Sequence, residues 1–211
     1  MHIKSVNIGL PQEIEWKGKK VVTGIFKQPT EQPLQVKQTN IAGDGQADLI
    51  NHGGIDKAVY AYPYEHYNYW YQLLGVDNLE LGSFGENLTT TGITDPKVFL
   101  GDYWQFGSAV LMAVQPRFPC YKLGIRFKDE RMTKTFLQAR RNGIYFRVIE
   151  EGILQNGDAI KLIQKSEHPV TIQDVVDNYV LPDKDQVKIE QILSIPFLPN
   201  FLREHFTPLS S

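Results

Sequence analysis

The stretch YWQFGSAVLMAV, residues 103 to 114, contains two runs of branched and aromatic residues on either side of Gly107-Ser108. Such runs are typical of β-strands. A two-residue loop that begins with glycine suits a tight hairpin, because glycine accepts a positive φ at that position. The sequence therefore predicts a hairpin of two strands, Tyr103–Phe106 and Ala109–Val114.

Further segments within the first 163 residues have the same composition, and glycine or proline separates most of them. The predicted strands are 20–27, 34–37, 59–62, 144–149 and 159–163. Asn156-Gly157 is a second turn signal. Many short strands joined by close turns favour a closed or nearly closed barrel, since closure removes exposed sheet edges. The predicted fold class is mainly β, a β-barrel with a few helices.

Two helices are predicted to interrupt the strands. The first would have Pro63 at its first position and end at Gly75. One apolar face of this helix would be formed by Tyr67, Trp70, Tyr71 and Leu74. This spacing is typical of core packing rather than of a cofactor site. The second helix would be capped by Asp129 and end at Gly143.

The composition changes after Lys165, where short helical segments replace the strands. Three helices are predicted, beginning after Thr171, Asp183 and Pro199, each a plausible cap or a proline. The chain is therefore divided into a β-barrel domain, residues 1–164, and a C-terminal three-helix domain, residues 165–211. The second piece is too small to fold strongly alone, so we expect it to dock on the barrel.

Composition and charge exclude several classes of function. The net charge of −2 gives no basic field for a nucleic acid polymer. No stretch approaches the roughly 18 apolar residues of a membrane span, and the first residues lack the apolar run of a signal peptide. One cysteine without an export signal fits a reducing compartment, so a cytoplasmic location is expected.

Cys120 is the only cysteine of the chain, and it closes the run Gln115-Pro116-Arg117-Phe118-Pro119-Cys120. A single thiol forms no internal disulfide and no four-cysteine zinc or iron–sulfur site. Neighbouring basic residues favour a thiolate, and the two prolines stiffen the backbone around it. Cys120 is therefore a candidate metal ligand or nucleophile. The alternative is a small buried hydrophobic residue.

Two polar loops are further candidates for binding. In the first, Gly53 and Gly54 would let backbone amides approach an anion, and Lys57 would add a positive charge. The alternative is a plain turn with a solvated lysine. His52, beside them, is a candidate proton donor or simply a loop histidine.

The second polar loop, residues 82–88, contains Glu86 and Asn87 between glycine-rich turns. Their side chains could form hydrogen bonds with a heteroaromatic ring in a pocket. They could equally satisfy the amides of their own loop, which is the more common use of such residues.

Taken in order, these motifs resemble one family. They are Gly43-Asp44-Gly45, His52-Gly53-Gly54-Ile55-Asp56-Lys57-Ala58-Val59, Phe84-Gly85-Glu86-Asn87-Leu88, Gly101-Asp102 and Pro116-Arg117-Phe118-Pro119-Cys120. Their order is similar to that of the MOSC family, named for the C-terminal domain of molybdenum cofactor sulfurase. The YiiM-like bacterial stand-alone branch is the nearer match. The resemblance covers residues 1 to about 163, and the tail resembles the three-helix extension of some members.

The resemblance implies a β-barrel that holds the molybdenum cofactor, a molybdopterin with a dithiolene and a phosphate. Cys120 matches the family's ligand to molybdenum, and Arg117 matches the arginine that would meet the anionic cofactor. His52, Gly53 and Lys57 match a second family signature. Soft thiolates bind such metals well, and the dithiolene adds two sulfurs, so one protein thiolate completes the set.

For this branch the resemblance implies an oxidoreductase that converts small N-hydroxylated molecules, such as hydroxylaminopurines, to amines. His52 would be the general acid. Electrons would come from a separate protein of the flavin or iron–sulfur type, since the chain has no haem or flavin motif, and no role for pyridoxal phosphate is expected. Two alternatives remain: a carrier or sulfur-transfer module that binds the cofactor without turnover, and a metal-free binding module with a structural Cys120.

Overall fold

The computed structural model describes residues 1–47 and 53–210. The strands are β1 His2–Ile8, β2 Gln12–Trp16, β3 Lys19–Thr23, β4 Gln28–Thr30, β5 Leu34–Lys37, β6 Asn40–Ile41, β7 Val59–Pro63, β8 Leu88–Thr91, β9 Tyr103–Phe106, β10 Ala109–Pro116, β11 Ile144–Glu150, β12 Gly152–Leu154 and β13 Ile160–Gln164. The helices are α1 Tyr67–Leu74, α2 Tyr121–Phe127, α3 Met132–Ala139, α4 Ile172–Val180, α5 Gln186–Leu193 and α6 Asn200–Phe206.

An eight-stranded sheet forms the centre of the molecule. Its order is β13-β9-β10-β11-β7-β8-β1-β4, and β7 and β8 are its parallel pair among the described residues. A three-stranded sheet, β12-β5-β6, and the separate hairpin β2-β3 complete the strand structure. The prediction of a mainly β fold with a few helices and a C-terminal helical segment is confirmed.

The large sheet curls until its two sides meet. His2 forms an isolated antiparallel bridge with Ala159, just before β13. Ile3 donates its amide to the Asp158 carbonyl at 2.9 Å and accepts from the Gly157 amide at 2.8 Å. The ladder of paired strands is open, and these few bonds join its two sides. The arrangement is a curled sheet of the nearly closed kind rather than a continuous closed ladder.

The hairpin predicted around Gly107-Ser108 is present, with Phe106 paired to Ala109 and a φ of +56° at Gly107. The predicted strands 34–37, 59–62, 144–149 and 159–163 also match the structure within one residue at each end. The predicted strand 20–27 is too long, because β3 ends at Thr23 and residues 24–27 form no strand. β1 was not predicted, and neither was β8. Both strands complete their pairing only through distant parts of the chain.

The structure moves both predicted helix starts in the strand-rich part. Pro63 ends β7 instead of beginning a helix, and α1 starts at Tyr67 after a short 3₁₀ turn. Its end at Gly75, with φ +65°, is as predicted. α3 runs from Met132 to Ala139, and Arg140 follows it in the left-handed region, before the predicted end at Gly143.

Helix α2, directly after Cys120, was not predicted, because Gly124 lies in its middle and glycine disfavours helices. A Cβ at Gly124 would lie 3.0 Å from the Asp129 carbonyl oxygen. The glycine therefore allows the chain to pack closely between α2 and α3.

Two hydrophobic clusters fill the interior. The larger one joins the inner face of the curled sheet to the C-terminal helices through Val98, Val170, Ile172 and Val175. The smaller one is aromatic and lies under α1 and α3, where Trp70 stacks on Phe136 at 5.5 Å with an interplanar angle of 5°. The second cluster lies beside the loop that carries Cys120.

The C-terminal helices begin where the sequence predicts, with one correction. Thr171 caps α4 in a capping box with Asp174, and Pro199 precedes α6. α5 is capped by Asp185 rather than by Asp183. The segment docks through backbone hydrogen bonds, 2.9 Å each, between residues 98–100 and residues 170–172. The division into domains at residue 164 stays a prediction.

Among the described residues, no helix is long and apolar enough to cross a membrane.

A candidate cofactor cavity

A cavity of about 650 Å³, measured with its open mouth, lies where the end of β10 faces the chain that follows β3. Four cationic side chains line it among the described residues: Lys27, Lys57, Arg117 and Lys122. Cys120 lies in the same wall, and Asp44 is the carboxylate that faces them. The cavity therefore brings a thiol together with an excess of positive charge, in a protein whose net charge is −2.

The backbone around Cys120 is fixed from two sides. β10 ends at Pro116, and α2 begins directly after Cys120. The Cys120 carbonyl accepts hydrogen bonds from the Leu123 amide at 3.0 Å and from the Thr133 hydroxyl at 3.2 Å. The thiol is partly buried and lines the cavity. The bend between β10 and α2 thus holds one side chain in place, as the two prolines predict.

Arg117 is buried with a charge that faces the cavity. Its amide donates to the Gly143 carbonyl at 3.2 Å, and its carbonyl accepts from the Asn142 side chain at 2.7 Å. The guanidinium lies 5.0 Å from the centre of the Phe136 ring and 5.6 Å from that of Tyr60. Its Nη1 atom is buried without a hydrogen-bond partner among the described residues. A buried donor of this kind calls for an acceptor, and an anionic ligand supplies one.

A buried carboxylate supports the loop that holds Arg117. One oxygen of Asp95 accepts from the amides of Asn142 and Gly143 at 3.0 and 2.9 Å, and the other lies 2.7 Å from Nε2 of His66. Both side chains are buried. The Asp95 carboxylate therefore fixes the turn whose groups bind the Arg117 backbone.

Lys27 and Asp44 form a buried ion pair in the cavity wall. Asp44 also accepts from the Gly9 amide and the Asn87 side-chain amide, each at 2.9 Å. Burial lowers the pKa of the Lys27 ammonium from its ordinary value, and Asp44 opposes that change. Asn87, predicted to bind a cofactor, lines the cavity, and its amide group is used in part to hold Asp44.

Two phenols complete the wall near Cys120. Burial raises the pKa of Tyr145; Arg117 opposes this rise, and Cys120 adds to it. Burial likewise raises the pKa of Tyr60 well above its ordinary value, against the effect of Arg117. The Tyr60 hydroxyl donates to the Asn142 carbonyl at 2.8 Å. Both phenols are therefore protonated at neutral pH.

Glu86 lies in the interior, behind the cavity wall. Its carboxylate accepts from the amides of Gly82 and Phe84 at 3.0 and 3.1 Å, from the Thr89 hydroxyl at 2.9 Å, and from the Tyr67 hydroxyl. Burial raises its pKa, and these hydrogen bonds oppose the rise. Glu86 thus satisfies its own loop, which is the alternative that the sequence left open, rather than facing the cavity.

The glycine-rich loop is divided between two places. Lys57 lines the cavity, whereas Gly53 and Gly54 line a neighbouring groove that Lys57 also borders. Gly54 has a φ of +94°, as a glycine-dependent bend requires. His52, the predicted general acid, lies outside the described residues.

The cavity also contains residues that the sequence did not single out as site residues. Lys27 lies within a predicted strand, and Tyr145 within another, so neither carried a signal of function. Among residues 1–47 and 53–210, no cluster of three His, Cys, Asp or Glu side chains could hold a metal ion. A metal at Cys120 would need most of its ligands from a cofactor, and the cationic wall fits one that is anionic.

Known proteins are similar to this chain in both sequence and fold. The uncharacterized protein YflK of Bacillus subtilis is 40% identical over 204 residues, which cover 97% of this chain and 92% of that protein. A protein named Reductase from Gibberella moniliformis is 36% identical over 151 residues, 70% of this chain and 27% of its own length. The crystal structure of YiiM from Geobacillus stearothermophilus superposes with a TM-score of 0.81 at 31% identity, over 100% of this chain and 99% of that one.

Residues 48–161 match the sequence model of the MOSC domain, which is more than half of the chain. The matched region contains the loop of Lys57, the bend at Cys120 and the strands between them. With relatives that align over nearly the whole length, the match also extends to the C-terminal helices. The chain is therefore a member of the MOSC domain family, with the YiiM-like fold.

Proposed function

We propose that this protein is a molybdenum-cofactor-dependent reductase that converts N-hydroxylated compounds to amines. The observation that carries the proposal is the meeting of Cys120 with Arg117, Lys57 and Lys122 in one cavity. MOSC domains as a family are associated with the molybdenum cofactor, and a relative of this chain carries the name Reductase. A thiol among cations matches a ligand that combines a soft metal with an anionic group.

Different residues of the chain would bind different parts of the cofactor. Cys120 would provide the protein sulfur for molybdenum. The buried Nη1 of Arg117 would donate to an acidic oxygen of the pterin or its phosphate, and Lys57 and Lys122 would add positive charge at the wall. Lys27 is held by Asp44, so its charge is largely balanced within the protein.

When bound, the cofactor would supply the two electrons that cleave the N–O bond. The balanced reaction is R–NHOH + 2e⁻ + 2H⁺ → R–NH₂ + H₂O. The electrons would come from a separate flavin or iron–sulfur protein. Tyr145, whose phenol is protonated at neutral pH, would hold a hydrogen-bond donor near Cys120. His52 remains the candidate general acid.

The test is a comparison of wild type with Cys120→Ser, both produced in a host that makes the cofactor. Serine keeps the shape of the residue and removes the soft ligand. Molybdenum per protein should fall at least tenfold in the variant, and anaerobic reduction of a hydroxylaminopurine by a strong reductant should be lost. Tyr121→Phe is the matched control, because Tyr121 is an exposed neighbour outside the cavity.

Each outcome is informative. Full molybdenum content and activity in Cys120→Ser would show that the ligand assignment is wrong. Molybdenum bound through Cys120 without any turnover of N-hydroxylated compounds would favour a carrier or sulfur-transfer module. Wild-type protein that binds no molybdenum in the competent host would contradict the proposal as a whole.

A further inference from the structure

A second depression lies directly beside the cofactor cavity. This groove, about 790 Å³, runs between the loop 53–57 and the segment 196–201, with Gln115 in its floor. Lys57 lines both the groove and the cavity, and Gln115 stands two residues before Arg117. The C-terminal segment therefore forms one wall of a groove that adjoins the proposed cofactor site at Lys57.

The walls of the groove differ in chemistry. The C-terminal wall is mostly apolar and carries two aromatic rings, Phe197 and Phe201. The opposite wall carries glycine backbone and the ammonium of Lys57. Gln115 is 1% exposed, and its side-chain amide donates to the Asp56 carbonyl at 3.1 Å, so the floor holds an amide in a fixed position. Flat rings with polar edges fit such a space.

Phe201 is the residue that presents a ring to the groove. It is 39% exposed, although the other apolar residues of its helix, α6, are buried. Its ring meets Phe118 edge to face at a centroid distance of 5.7 Å, and the Lys57 ammonium lies 5.7 Å from its centre. A ring that is held along its edge and exposed elsewhere is a platform on which a second ring can stack.

Phe118, which the Phe201 ring contacts, connects the groove to the bend that carries Cys120. Phe118 lies two residues before Cys120, and it also packs on Tyr179 of α4 at 4.4 Å. A molecule stacked on Phe201 would therefore lie beside the residues that precede the thiol. This position suits the ring of a substrate whose N–OH group enters the cavity.

We propose that the groove binds the planar heteroaromatic part of the N-hydroxylated substrate, with Phe201 as the stacking residue that determines specificity. The proposal rests on the proposed function for its chemistry. It gives the C-terminal helices a role: they complete the substrate site of the barrel. Small aliphatic N-hydroxy compounds would use the cavity without the groove.

The test is Phe201→Ala in the cofactor-loaded protein, assayed with two substrates. Stacking of a base on an aromatic side chain is worth enough to change affinity about tenfold. We expect KM for a hydroxylaminopurine to rise about tenfold, with kcat little changed and with no change for N-methylhydroxylamine. Phe201→Tyr keeps an aromatic ring, so its KM for the hydroxylaminopurine should stay close to that of wild type. Val187→Ala is the matched control, because Val187 is 63% exposed on α5 and lies outside the groove.

A binding measurement separates this proposal from the proposed function. Calorimetric titration of each protein with adenine, a planar base without the N–OH group, should show weaker binding to Phe201→Ala than to wild type, whether or not the protein is a reductase. Equal binding of adenine, or an unchanged KM for the hydroxylaminopurine, would overturn the groove assignment. An equal loss on both substrates would also overturn it, since Phe201 would then act by positioning Phe118.

Discussion

The fully buried Asp95 carboxylate holds together two loops that meet behind the candidate cofactor cavity. Replacing Asp95 by alanine would leave the amides of Asn142 and Gly143 and the imidazole of His66 without their acceptor. Unsatisfied buried donors cost about 1–3 kcal/mol each, so Asp95→Ala should lower the free energy of unfolding by about 3 kcal/mol. Urea denaturation measures this loss.

A matched variant tests the cause of that loss. Asp95→Asn keeps a side-chain oxygen that can accept from the same amides, so it should lose clearly less stability than Asp95→Ala. Equal losses in the two variants would show that the charge of Asp95, rather than its acceptor geometry, supports the loop. An Asp95→Ala protein as stable as wild type would contradict the role given to this residue.

Helix α4 begins with a capping box, next to the backbone hydrogen bonds that join residues 170–172 to residues 98–100. The Thr171 hydroxyl accepts from the Asp174 amide at 3.0 Å, and the Asp174 carboxylate accepts from the Thr171 amide at 2.8 Å. Removing such a cap costs about 1 kcal/mol. Thr171→Ala should therefore lower the melting temperature by about 3 °C in differential scanning calorimetry.

Serine at the same position serves as the control for the cap. Thr171→Ser keeps the hydroxyl, so it should melt within about 1 °C of wild type. If Thr171→Ala and Thr171→Ser both melted below wild type by the same amount, the contribution of Thr171 would come from its methyl group rather than from capping.

The elements show why sequence reasoning found some strands and missed others. Strands 34–37 and 103–106 carry their own signal in branched and aromatic residues. β1 was missed because it pairs with β4 and β8 and is bonded to residues 157–160, and none of these partners is adjacent to it in the sequence. Helix α2 was missed because Gly124 disfavours a helix locally. The reason for this glycine is its close packing against Asp129, which the sequence does not reveal.

The residues of the candidate site also fall into those that the sequence predicts and those that it does not. Cys120, Arg117 and Lys57 were predicted because they lie in short motifs with a recognisable order, and the structure places them in one cavity. Lys27 joins them from the connection between β3 and β4, and Tyr145 joins them from β11. No local pattern marks either residue. Glu86 stands in a motif, yet its motif serves the loop itself. A motif predicts that a loop belongs to a functional site, but the packing of the fold determines which of its side chains face a ligand.

The whole molecule should unfold in a single step. The larger hydrophobic cluster contains Leu100 and Val98 from the strand-rich part together with Ile172 and Leu202 from the C-terminal helices. No boundary in this cluster separates the two predicted domains within the described residues. We expect one calorimetric transition, with equal calorimetric and van't Hoff enthalpies. Two resolved transitions would show that residues 165–211 fold as an independent unit.

The stacked pair of Trp70 and Phe136 has a practical consequence for spectroscopy. The Phe136 ring contacts both the indole of Trp70 and the guanidinium of Arg117, and the indole N–H donates to the Tyr62 hydroxyl at 2.6 Å. The emission of this indole is therefore sensitive to a charge that arrives only one ring away. Filling of the neighbouring space could be followed by intrinsic fluorescence, without attaching any dye.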